Sequence, residues 1–174
     1  MRRVIILLCI LLVSTCAYAE FVPHSGYELS SKGYSVSGFS EKKFIGIDLV
    51  LAVKSLPLSL EAGIAIPLLG DIVEESVLNA GIEFIPFVIK DHPFKHWITL
   101  DNYYAPSLQI TASATCDTIT QPVIIGSIHP LRFVVGGGYT SVLSPGLIID
   151  PFNGISDMIA GWEMELFRVG FYLW

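Results

Sequence analysis

Along much of this chain, apolar side chains recur at every second position. In FIGIDLVLAV, Ile45, Ile47, Leu49, Leu51 and Val53 fall on one face, and Gly46, Asp48, Val50 and Ala52 on the other. LSLEAGIAI sets Leu58, Leu60, Ala62, Ile64 and Ile66 against Ser59, Glu61, Gly63 and Ala65. VLNAGIEF sets Leu78, Ala80, Ile82 and Phe84 against Asn79, Gly81 and Glu83. A period of two marks a β-strand whose two faces meet different surroundings. The longest run, residues 96–115, keeps its even positions apolar except Asn102 and its odd positions mostly polar. Pro106 interrupts that ladder, so a bulge or a split into two shorter strands is open. In LRFVVGGGYTSVL, Leu131, Phe133, Val135, Gly137, Tyr139 and Leu143 share one face, and Arg132, Val134, Gly136, Gly138, Thr140 and Val142 the other. No Lys or Ser follows the glycines at the spacing of a phosphate loop, so they fit a strand under tight curvature.

The pattern predicts eight strands, at 26–39, 43–53, 58–68, 77–89, 96–115, 121–128, 131–143 and 158–174. Connections 54–57, 90–95 and 129–130 read as tight turns, and 69–76, 116–120 and 144–157 as loops. Both ends of the strand region then lie on the tight-turn side.

Composition changes what these strands face. Charged residues are only 15% of the chain, well under the usual quarter, and the mean hydropathy is +0.63. Outside the first residues, no stretch offers the 18 or more apolar residues of a helical span. In lipid, backbone groups are satisfied only within helices or closed barrels. The fold class expected is therefore all-β: an antiparallel up-and-down transmembrane β-barrel of eight strands. Residues 1–19 read as a secretory signal peptide: Arg2 and Arg3, an apolar run from Val4 to Val13, and Ala17-Tyr18-Ala19 at the cleavage site. The apolar run is too short for a membrane anchor, and Val13-Ser14-Thr15-Cys16 leaves lipidation of Cys16 open as a second reading. The barrel domain is then 20–174. It carries eight basic against 16 acidic residues, which excludes nucleic acid as a partner held by charge. Cys116 is its only cysteine, so no disulfide framework is expected.

The chain ends in RVGFYLW. Tyr172 and Trp174 place aromatics at the last residue and two before it. The chain thereby resembles the small bacterial outer-membrane barrels of the OmpA-transmembrane-domain, OmpX and OmpW kind. The resemblance implies that Gly170, Tyr172 and Trp174 form the signal read by the barrel assembly machinery, with Gly170 one place closer to the end than that family's usual glycine. It also implies location in the bacterial outer membrane among its lipids, and passage of small hydrophobic compounds, for which Trp97, Tyr103 and the Gly136–Gly138 face are the places to look.

By parity, the lumen receives a polar cluster of Asp48, Glu61, Glu83, Asp101, Tyr103, Arg132, Glu163 and Glu165, with Gln109 and Lys54 near it. Arg168 falls on the outward parity. It either snorkels to the interface or enters the lumen through a bulge near Phe167, the reading favoured here. A polar plug explains these carboxylates better than a general acid–base pair, because an eight-strand barrel is just wide enough for its own side chains. His24, His92, His96 and His129 supply no Ser-His-Asp order, and three of them fall in or beside predicted tight turns. No metal or cofactor is expected. In loop 144–157, Leu147, Ile148, Ile149 and Phe152 suit a cap over the barrel mouth or a partner contact. The function expected is structural or surface-interacting rather than enzymatic. Two alternatives stay open: a soluble periplasmic calycin-like ligand-binding barrel, and an outer-membrane lipid-modifying enzyme.

Overall fold

In the computed structural model, which describes residues 26–36, 40–52, 56–91, 93, 102–115, 119–153 and 158–172, the alternating segments pair into one antiparallel sheet that closes on itself. Among the described residues, ten strands make eight staves. β1 (Gly26–Val36), β2 (Ser40–Ala52), β3 (Leu58–Pro67) and β4 (Val77–Phe84) are followed by β5 (Asn102–Tyr104) with β6 (Ser107–Thr115). Then come β7 (Val123–His129) with β8 (Leu131–Val135), β9 (Gly138–Ile149) and β10 (Ile159–Tyr172). One short helix, α1 (Ile72–Glu75), sits between β3 and β4. Each stave pairs with the next in sequence, and β10 pairs back on β1. The fold is a closed eight-strand up-and-down barrel.

Register fixes its shape. Gly26 pairs with Val50, Val50 with Glu61, Glu61 with Gly81 and Gly81 with Thr111. Thr111 pairs with Ile125, Ile125 with Ile148, Ile148 with Gly161, and Gly161 with Val36. One circuit therefore returns to β1 ten residues further along. With a rise of about 3.3 Å per residue and staves about 4.8 Å apart, that stagger tilts the strands by about 40°. A stave of 11 residues such as β1 then stands about 28 Å tall.

The pleat sends alternate side chains in and out. From Lys43 to Val50 exposure and burial alternate without a break. Every stave presents large apolar side chains outward, among them Leu29, Ile47, Leu60, Ile82, Ile110, Ile128, Leu147 and Trp162, which are 43–63% exposed. The interior is layered. At the loop end, Phe44, Ala65, Ile125 and Ile148 pack together, with Val77, Val123 and Ala160 against them. At the end where β1 begins, Ile85, Ala105, Val134 and Tyr139 form a second apolar cluster. Charged and hydroxyl side chains fill the space between.

Three sequence expectations are corrected. His129-Pro130 is not a turn: β7 and β8 form one stave that runs through it, and β9 pairs with both in a single register. The turn is Gly136-Gly137, where Gly136 takes φ +50°, a conformation that costs glycine no steric strain. The expected strand 131–143 is thus a hairpin, and residues 144–149 of the expected loop belong to β9. Of the two outcomes left open at Pro106, the structure takes the split: within its described part, the run 96–115 divides into β5 and β6.

Extra residues break the in–out alternation in a line across three neighbouring staves. Val142 and Leu143 both point outward, as do Leu166 and Phe167, and Pro130 is exposed beside Leu131. Between β1 and β10 the register shifts at Ser31/Lys32, leaving Leu166 as the extra residue. Leu143, the one described non-glycine residue with positive φ, lies in the same line. Beyond the bulge the parity of β10 is inverted, which carries Arg168 into the lumen.

Candidate functional site

The middle of the barrel holds an ion-pair and hydrogen-bond network built from opposite walls. Among the described residues, six carboxylates are buried there: Glu28, Asp48, Glu61, Glu83, Glu163 and Glu165. Arg132 and Arg168, 3% and 1% exposed, are the buried arginines. Arg168 reaches from β10 to three staves. Its Nη1 lies 3.0 Å from Glu28 and 3.6 Å from Glu61, its Nη2 donates to Glu165 at 2.8 Å and to Gln109 at 2.8 Å, and its Nε donates to Glu165 at 3.0 Å. Arg132 pairs through Nε with Glu83 at 3.2 Å and lies 4.0 Å over the Tyr139 ring. Glu83 also accepts from Ser107 at 2.5 Å and from Ser59 at 3.4 Å.

Gln109 is the hub. Its Oε1 accepts from Arg168, from Ser127 at 3.2 Å and from His129 Nε2 at 2.9 Å, while its Nε2 donates to Glu61. A guanidinium can only donate, so the atom facing Arg168 is the amide oxygen, and His129 must carry its hydrogen on Nε2. Its Nδ1 lies 2.8 Å from the Ser144 hydroxyl and 3.6 Å from Glu165. Ser144, His129 and Glu165 thus come together without the geometry of a catalytic triad. Hydroxyl and carboxylate sit at the same ring nitrogen, and none of the three is more than 1% exposed.

Glu28, Glu61 and Glu83 each offer one carboxylate oxygen, and the three atoms lie within 4.8 Å of one another. The cations they face are guanidinium groups: Arg168 sits against Glu28 and Glu61, and Arg132 against Glu83. Separated from its guanidinium partners, such a set would be strongly unfavourable in a dry interior.

Of the residues expected in the lumen, Asp48, Glu61, Glu83, Arg132, Glu163 and Glu165 are all buried inside. Tyr103 is not: it is 37% exposed, and Asn102, 2% exposed, takes the inward place because the parity changes ahead of Pro106. Gly170 is buried in β10, and Tyr172 pairs with Gly26 on β1. Asp101, Trp174, Lys54, Trp97, His24, His92, His96, Cys116 and the signal-peptide segment with Cys16 lie outside the described residues. Sequence reasoning missed Glu28 and His129. Glu28 belongs to a first strand with little apolar signal, and His129 was assigned to a turn on the strength of the proline after it.

A small closed β-barrel with a charged, side-chain-filled core is the class that fold and interior define. Compared with known proteins, the chain matches no family model, no curated protein and no solved structure.

Proposed function

We propose that this chain is an integral outer-membrane β-barrel of a bacterial envelope, with a structural or surface-interaction role and no catalytic one. One observation carries the reading: the polarity is inverted, with a belt of exposed Leu, Ile, Phe and Trp around all eight staves and ion pairs inside. In water each such half-exposed side chain would forgo about 0.7–1.5 kcal/mol of burial, half the value for full burial, whereas hydrocarbon solvates it. A soluble calycin-like barrel needs the reverse, an apolar interior for its ligand and a polar outside. The stave height of about 28 Å also suits a bilayer core of about 30 Å. No described helix is long and apolar enough to cross a membrane, so the strands are the elements this reading uses.

The same interior bears on the rival activities. Passage of small apolar compounds, which the resemblance implies, gains no support from a lumen filled by Arg168, Arg132 and their carboxylates. A lipid-modifying enzyme needs a reachable nucleophile and base, and among the described residues the histidine, His129, is enclosed. Recognition of Gly170, Tyr172 and Trp174 by assembly machinery stays part of the proposal.

The test uses Trp162, 48% exposed on the outer face of β10. A chain carrying Trp97→Phe and Trp174→Phe is folded into vesicles whose acyl chains bear bromine. Strong quenching of Trp162 is expected. Unquenched fluorescence, with the folded protein recovered in the aqueous phase, would overturn the reading in favour of the soluble barrel.

A further inference from the structure

We propose that Gly170 must be glycine because it seats the ring of Tyr139, and that this seat holds Arg132 against Glu83 inside the lumen. The inference concerns the barrel itself and holds whatever surrounds it. It also gives Gly170 a role separate from recognition by assembly machinery.

Gly170 and Tyr139 are register partners on β10 and β9. The Tyr139 ring turns inward, 5% exposed, and leans over the backbone at 170. A Cβ at that position would overlap ring atoms Cε1 and Cζ and come within 2.8 Å of Cδ1. The obstruction is an aromatic ring packed with Ile85, Ala105 and Val134, not the free end of a flexible chain, so it cannot yield cheaply. Every other residue at 170 therefore displaces Tyr139.

What Tyr139 carries makes the displacement matter. The Arg132 guanidinium lies 4.0 Å over its ring, and the same guanidinium pairs with Glu83 on β4, past the intervening β5/β6 stave. Glu83 in turn collects Ser107 and Ser59. The ring fixes where a long side chain with several rotatable bonds must lie, and so lowers the entropy cost of pairing it with Glu83. A chain of contacts thus runs from the closing strand through Tyr139 and Arg132 to the opposite wall. Tyr139 is a positioning residue for Arg132, and Gly170 is its seat.

The full chain, refolded from urea into dodecyl maltoside micelles without assembly machinery, tests this. Gly170→Ala is expected to lower the folding equilibrium constant by at least about fivefold, as overpacking a filled site does. In a Tyr139→Ala background the same substitution is expected to change it by less than about twofold, because the space has been vacated. If Gly170→Ala alone does not fold, the comparison of Tyr139→Ala with Tyr139→Ala/Gly170→Ala still decides. An alanine at 170 that is harmless with Tyr139 present, or equally harmful without it, overturns the seat. The coupling between Arg132→Met and Glu83→Gln, measured by a double-mutant cycle, is expected to fall several-fold when Tyr139 becomes Ala. An unchanged coupling overturns the positioning role.

Discussion

Arg168 Nη1 lies 3.0 Å from Glu28 Oε2, and the two residues stand on β10 and β1, the strands whose pairing closes the ring. Residues 140 positions apart therefore meet only when the barrel is complete. Both are buried, and Glu61, Glu165 and Gln109 share the same guanidinium. Arg168→Met keeps the length of the side chain and removes its charge, leaving three carboxylates without their main partner. A loss of about 3–5 kcal/mol is expected, as for other buried pairs broken from one side. Urea unfolding followed by gel mobility before and after boiling measures it. Adding Glu28→Gln to Arg168→Met should recover part of the loss, since one uncompensated charge goes with it.

The hub makes a ranked prediction. Gln109→Leu fills a similar volume but strips an acceptor from Arg168, Ser127 and His129 and a donor from Glu61. Leaving that many buried groups unpaired should cost at least about 3 kcal/mol. Ser127→Ala removes one of three donors to the same oxygen and should cost under about 1 kcal/mol. Equal urea midpoints for the two variants would mean that Gln109 is not the organising residue.

What could be read from the chain depended on whether a residue's environment is set by its neighbours in sequence. The outward faces of β2, β3, β4 and β6 were legible because alternation there is unbroken. The His129-Pro130 and Gly136–Gly138 segments were read the wrong way round for a physical reason. A proline removes one ladder hydrogen bond, which an inserted residue tolerates, while a Gly-Gly pair supplies positive φ, which a two-residue hairpin requires. The Pro130 carbonyl even gains a partner, accepting from the Tyr104 hydroxyl at 2.8 Å. Entry of Arg168 into the lumen was legible as one of two choices, because an arginine in lipid is costly and a bulge relieves it. The network itself was not legible. Gln109, Glu61 and Arg168 are joined by the ten-residue stagger of the ring, and no local pattern encodes that.

Glu28, Glu61 and Glu83 invite a divalent ion by composition, yet guanidinium groups already sit against them. Calcium, magnesium or a chelator at millimolar concentration should therefore leave the unfolding midpoint of the unaltered chain where it is. An ion held only by the folded state would raise that midpoint as its concentration rises. In Arg168→Met the positive charge is gone, and sensitivity to divalent ions should appear there if anywhere. Metal-dependent stability in the unaltered chain would show that the carboxylates are arranged for an ion rather than for arginine.

The outer belt separates lipid from water most directly. Ile110, in the middle of β6, is 63% exposed, and its register partners Ile82 and Gly126 lie on the neighbouring staves. Leu69, in the connection between β3 and β4, is 89% exposed and close to α1. By exposure alone, Leu69→Arg is the safer of two safe substitutions, and in a soluble barrel both should be neutral or improve solubility. In a bilayer the two diverge. An arginine at position 110 stands near mid-height of a strand and should cost about 2–4 kcal/mol, while one at 69 lies beyond the strands and should cost under about 1 kcal/mol. Folding both variants into short-chain phosphocholine vesicles and titrating with urea gives the difference. The contrast should shrink in detergent micelles, where the side chain reaches water more easily. Equal costs in vesicles would place position 110 in water and remove the physical basis for reading the belt as a membrane surface.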